Sequence, residues 1–187
     1  MAQDNDLNLK PISKAPGSYP AGTGVGSAAG AARPVDADDD VIEALNDLLE
    51  TCRDGEYGFS ECAEHTKAAD IKTLLSRHAE ECRAAGVELQ TLITQMGGEA
   101  DEGGTVSGAL HRGWVSLRGT LSGYSDQAML DECERGEDSA VAAYRKALKQ
   151  NLPAGVRAVV DRQAQGAQRN HDQIKALRDQ LKASSQA

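Results

Sequence analysis

Aromatic side chains are scarce in this chain: Trp114, Phe59 and four tyrosines make up 3% of its 187 residues. A core must therefore be built from Leu, Val, Ile and Ala, a mixture that favours helices, because strands lean on aromatic and β-branched side chains. No uninterrupted apolar run in the sequence reaches the roughly 20 residues of a membrane-spanning helix. Four cysteines, with no CxxC pair, are too few and too scattered for a disulfide scaffold. Basic groups are the minority, 20 against 29 acidic and a net charge of −9, which excludes the basic face that nucleic acid or an anionic membrane requires. The N-terminal MAQDNDLNLK lacks the basic-then-apolar layout of a secretion signal. There is no Walker loop, no GxSxG elbow, no EF-hand spacing, and the glycines at 22, 24, 26 and 30 follow no strand. These absences leave a soluble, cytoplasmic protein with no nucleic-acid and no membrane partner as the expectation.

What is present is organised in two parts. Pro11, Pro16, Pro20 and Pro34 punctuate a Gly-, Ala- and Ser-rich segment with too few large apolar groups to offset the entropy of ordering it. Residues 1–36 are expected to form a disordered tail, and 37–185 a helical domain. The first helix opens on Asp36, Asp38, Asp39 and Asp40, whose charges oppose the positive end of the helix dipole. Its stripe runs Leu45, Leu49, Cys52, Phe59, Ala63. A second stripe, Ile71, Leu75, His78, Cys82, Ala85, Leu89, Leu92, Met96, stops at Gly97–Gly98. Val106, Leu110, Trp114, Leu117 and Leu121 mark a short amphipathic helix, weakened by three glycines. Another long helix starts near Ser125, with stripe Leu130, Cys133, Ala140, Tyr144, Leu148; Asn151 and Pro153 end it and open the last, with Val156, Val160, Ala167, Ile174, Leu177 and Leu181. Turns near residues 66 and 152 make two antiparallel hairpins joined by a long crossover. The last helix is the basic one: residues 36–150 carry 24 acidic and 11 basic groups, residues 151–187 three acidic and six basic. Electrostatic matching within the bundle is the reading of that asymmetry.

Polar residues that interrupt the stripes are the candidate functional positions. Glu56, between Cys52 and Phe59, and Glu137, between Cys133 and Ala140, point inward; His78 lies on a stripe with Glu81 at its edge; Gln163, Asn170 and His171 interrupt the last helix. Counted outward from the turns, Glu56 levels with His78, Cys52 with Cys82, and Cys133 with Asn170 and His171, with Glu137 a turn away. An ionised carboxylate alone in a bundle core costs several kcal/mol unless something pairs with it. Four-helix proteins that hold two metal ions answer this with inward carboxylates and histidines. Glu56, His78, Glu81, Glu137 and His171 are therefore candidate metal ligands, with iron or manganese as the cofactor such a set would take. The Glu-x-x-His pairs of two-ion sites are missing: Gln168 precedes His171 by three residues, and Leu75 precedes His78. The competing reading is a buried polar layer, in which Glu56 and Glu137 bond to His78, Asn170 or Tyr144 and fix register without chemistry. Cys52, Cys82 and Cys133 sit on stripes and behave by default as small hydrophobes, although Cys52 and Cys82 could form a reversible disulfide. His65 and His111 are expected near surface or loop, and Trp114 is expected to seal the crossover helix onto the bundle.

The runs LNDLLETCRDGEYGF (45–59), GGTVSGALHRGWVSLRGTLSG (103–123) and ECERGEDSAVAAYRKAL (132–148), followed by LPAGVRAVVDRQ, resemble a bacterial family of small four-helix-bundle proteins described as a domain of unknown function. The resemblance spans about residues 38–182 and implies an all-α, ferritin-like four-helix bundle of two antiparallel hairpins with a short helix in the long crossover. It implies no activity. Against the ligand pattern of ferritins and rubrerythrins, Glu56, Glu81, Glu137 and His171 match one position in each helix. The expected function is a non-enzymatic, stress-associated or interaction role, with a homodimer or protein partner through a helix face. A diiron or dimanganese protein with oxidase or peroxide-scavenging activity is the alternative, and a thiol redox sensor using Cys52 and Cys82 is the third.

Overall fold

The structure, a computed structural model, describes residues 35–101 and 125–186. The expected tail, up to residue 34, and the expected crossover helix with His111 and Trp114 lie outside the described residues. Four helices follow in order: α1 (Val35–His65), α2 (Ala69–Gln95), α3 (Asp126–Leu148) and α4 (Ala154–Ser185). No strand occurs among the described residues. The fold is the all-α bundle of two antiparallel hairpins that the stripes require. α1 begins at Val35 and α4 runs to Ser185.

Local chemistry sets the helix ends. The Ser125 hydroxyl accepts the amide of Ala128 at 3.2 Å, capping α3. α2 ends on Gly97, whose φ of +80° suits glycine. There the Gly98 amide donates to the Ile93 carbonyl and the Gly97 amide to that of Thr94, both at 3.0 Å, a Schellman closure. Arg157 donates to the Leu148 and Gln150 carbonyls at 3.0 and 2.7 Å, tying the end of α3 to the start of α4. The hairpins are pinned to each other where the Asp126 carboxylate accepts the amides of Lys67 and Ala68, at 2.7 and 3.1 Å, from the α1–α2 turn.

The apolar stripes meet in two clusters, one at each end of the bundle. One gathers Leu45, Leu48, Leu49, Leu89, Ile93 and Val160. The other gathers Phe59, Leu75, Met129, Leu130 and Ile174. α1 packs along α2 and along α3, and α3 along α4, whereas α2 and α4 approach each other only sparsely. That fourth seam is spanned by long polar side chains: Arg77 and His78 to Gln173, Glu88 to Arg162 and Gln163, and Glu81 to Asn170.

Candidate functional site

Beneath those polar bridges, between the two apolar clusters, is a cavity of about 630 Å³. Small residues on all four helices leave the space: Gly55 and Gly58 on α1, Ala84 and Ala85 on α2, Gly136 and Ala140 on α3, Gly166 and Ala167 on α4. Phe59 and Val87 add apolar wall, and Glu81, Cys82, Glu137, Tyr144, Gln163 and Asn170 bring the polar atoms. Among the described residues, Val87, on α2 at the cavity, is the large hydrophobic side chain left most open, at 53% exposure.

Most polar groups around the cavity satisfy each other. Cys52 Sγ lies 3.3 Å from Tyr144 Oη, and the Tyr144 hydroxyl donates to Gln163 Oε1 at 3.1 Å. With its single proton so committed, the tyrosine accepts from the thiol. Gln163 Nε2 donates onward to Glu88 at 2.8 Å and to the Ala85 carbonyl at 3.3 Å. Asn170 Nδ2 donates to Glu81 at 3.0 Å. Glu137 is the exception. It is 4% exposed, it lines the cavity, and among the described residues nothing donates to it. Burial, reinforced by the nearby Glu81 charge, pushes its carboxyl up to about 8.

The candidate metal ligands separate into three places. Glu81 and Glu137 face the cavity, and Glu56 lies near enough to join them in raising the Cys82 thiol. His78 does not join them. It is fully buried one turn lower, with its ring edge-on to Phe59 (centroids 5.2 Å apart, 84° between planes), Nε2 3.2 Å from Gln173 and Nδ1 without a partner. Burial lowers its pKa and keeps it neutral. His171 faces the rim, with Nε2 3.1 Å from Asp138 and Nδ1 3.0 Å from Asp172. The level counts need correction for a physical reason: α1 runs to His65 and α2 starts only at Ala69, which centres the first turn on residue 67 rather than 66, and the contacts across the hairpin are staggered further in the same direction. Phe59, not Glu56, therefore levels with His78, and Cys82 levels with Gly55. In the second hairpin Asp138, not Cys133, levels with His171. Among the described residues no three His, Cys, Asp or Glu side chains converge closely enough to hold a metal ion. In this arrangement the set does not fit a two-ion centre.

The cysteines are unbridged. Burial pushes the Cys52 thiol up to about 11, and raises Cys82 through burial and the neighbouring carboxylates. Cys133 is raised by its contact with Cys62 and by burial. Cys52, Cys82 and Cys133 therefore stay protonated at neutral pH, the opposite of what a reactive thiol needs. Several functional side chains escape sequence reading. Glu88 bridges to α4 exactly one heptad after Glu81, a spacing that could have revealed it. The buried Glu132, paired with Arg135, and the cavity-opening Gly136 and Gly166 carry no periodic signal.

Two hairpins of this topology, enclosing an acid-lined cavity at mid-height, define a ferritin-like bundle. The chain belongs to the family described as "Domain of unknown function (DUF2383)", which matches residues 40–150. Solved structures share the fold. A dodecameric thioferritin, the bacterioferritin-related protein of Bacteroides fragilis, is similar with a TM-score of 0.65 and 14% identity, over 80% of this chain and 90% of that one. A mutant of Mycobacterium smegmatis Dps1 gives 0.64 and 15%, over 77% and 98%. A two-domain protein of Anabaena variabilis, with dj-1/thij/pfpi-like and ferritin-like domains, gives 0.62 and 12%, over 78% of this chain but 38% of that one. This chain thus spans well under half of that protein. At these identities the likeness is one of fold. No curated protein matches the chain. No helix among the described residues is long and apolar enough to cross a membrane.

Proposed function

We propose that this protein is a non-enzymatic, ferritin-like binding bundle that holds a small molecule in the open seam between α2 and α4, and serves an interaction or stress-associated role through that occupancy. The observation that carries the reading is the cavity of about 630 Å³, within the range of small-molecule sites, with mostly apolar walls and a few convergent polar groups. Four unbridged cysteines suit a reducing compartment, so a cytoplasmic setting belongs to the same reading. The test is titration of the full chain with Nile red, a neutral apolar dye, beside a Gly136→Leu variant. Gly136 lines the cavity and an added Cβ there meets nothing within 4 Å, so a leucine, put there to crowd the groove, enters without a clash. Saturable one-to-one binding that the variant loses supports the reading, and equal binding by both proteins overturns it.

A second reading, iron or manganese binding with oxidase or peroxide-scavenging activity, draws support from the proximity of Glu81 to Glu137 and from the ferritin-like fold. Its test is metal analysis after anaerobic loading with Fe(II) or Mn(II) and desalting. Near-stoichiometric metal that a Glu56→Gln/Glu137→Gln double variant loses would establish it.

A further inference from the structure

We propose that the cavity between α2 and α4 selects a small organic amine, an apolar body ending in an ammonium group whose counter-ion is Glu137. This rests on the reading of the cavity as a binding site and names the class of its ligand. Two independent features carry it: the cavity itself, and a carboxyl group 4% exposed that lines it without a donor among the described residues. Tyr144, Gln163 and Asn170 are each hydrogen-bonded within the bundle, so Glu137 is the position at which a ligand supplies what the protein does not.

The charges facing that carboxyl from each helix fix the sign of the ligand. α1 brings the Cys52 thiol, α2 brings Glu81 and the Cys82 thiol, and α3 brings Cys133 and Tyr144, none of them cationic. The arginines of the lining are turned to other work or to water: Arg162 pairs with Glu88, Arg135 with Glu132, and Arg169 is exposed. An anion would meet Glu81 and Glu137 together, and a neutral molecule would leave the buried Glu137 carboxyl in its protonated form, whereas a cation favours loss of that proton and pairs with the carboxylate. An ammonium group offers three donors and one positive charge. The apolar body of the ligand lies against Phe59, Val87, Ala84 and Ala140. A metal ion is the wrong size of guest for the whole space, which accepts a molecule of some tens of atoms.

The experiment is isothermal titration of the full chain with three probes of one length: octylamine, octan-1-ol and octanoate. Wild type is compared with Glu137→Gln, which keeps the shape of the side chain, and with Gly136→Leu, which leaves Glu137 in place and fills the groove. Octylamine is expected to bind at least about tenfold more tightly than octan-1-ol, with octanoate weakest. Glu137→Gln should weaken octylamine by at least about tenfold and change octan-1-ol by less than about twofold. Equal affinity for octylamine and octan-1-ol in wild type, or unchanged octylamine binding in Glu137→Gln, overturns the amine assignment. In that event, loss of both probes in Gly136→Leu would leave the binding-cavity reading standing. Failure of all three probes and of Nile red sinks both.

Discussion

The seams α1–α3 and α2–α4 join the same two hairpins, yet they are built from opposite materials. Along α1–α3, Leu45, Leu48 and Phe59 meet Tyr144, Ala147, Met129 and Leu130, all nearly without exposure, and even the polar contacts, Cys52 with Tyr144 and Cys62 with Cys133, are compact. Along α2–α4, arginine, glutamine and glutamate reach across a gap, and the space beneath them stays open. Apolar contact stabilises in proportion to the area it removes from water, whereas half-exposed ion pairs contribute about 1 kcal/mol or less. The closed seam therefore does most to hold the two hairpins together, and the open seam contributes little to that.

The largest effect separates the seams directly. Leu130 has no exposed surface and packs in the cluster that joins α1 to α3. Leu130→Ala should cost about 2–5 kcal/mol in urea unfolding, through lost transfer energy and the cavity it leaves. Val87→Ala, at the open seam and 53% exposed, should stay within about 0.5 kcal/mol. Comparable losses for the two would erase the distinction between the seams.

Next comes the cost of keeping a carboxyl in the open seam. Glu137 holds its proton to about pH 8, while the unfolded chain surrenders it near the ordinary value of 4.5. Between those limits the native state binds more protons than the unfolded one, so this group's contribution makes stability fall as pH rises, levelling above 8. The loss is on the order of a few kcal/mol across the window. Half-buried Asp54, raised to about 6 by burial and by Glu50, adds a smaller fall in the same direction at lower pH. Glu137→Gln should remove the larger part, so that its stability exceeds that of wild type increasingly from pH 5 to pH 8. Unfolding curves of both proteins at each pH check it, and parallel profiles would mean that Glu137 ionises freely in the native state.

The contrast between the seams also marks what could be read from the residues. Helix number, order and ends follow from periods of three and four and from local capping, which need no partner: the stripes, Ser125, Gly97 and Pro153 all act where the sequence puts them. Inward polar positions could be read too, because Glu137, His78 and Asn170 break apolar stripes and are all buried. Which of them meet was not readable, since it depends on the stagger across a turn, and three residues along α1 separate Glu56 from Phe59, which His78 meets instead. Nor was the cavity. A stripe records that a side chain faces inward, and Gly136 or Gly166 leaves no such record although each removes volume.

Glycine provides the smallest and sharpest test, because one substitution should change sign between the tight and the open parts of the bundle. At Gly136 an added Cβ meets nothing within 4 Å, and the helix gains by losing its most flexible residue. Gly136→Ala should stabilise by about 0.5–1 kcal/mol. At Gly55 the same methyl would lie 2.8 Å from Cys82 Sγ on α2. The helical gain is then outweighed by overpacking, for a net loss of about 1 kcal/mol. Removing the sulfur should restore the gain, so Gly55→Ala is expected to be less harmful in a Cys82→Ala background than in wild type. The four stabilities of that double-mutant cycle measure the contact itself. Additive values would show that Gly55 is not there to admit Cys82, and that the two hairpin helices have room to spare at that contact.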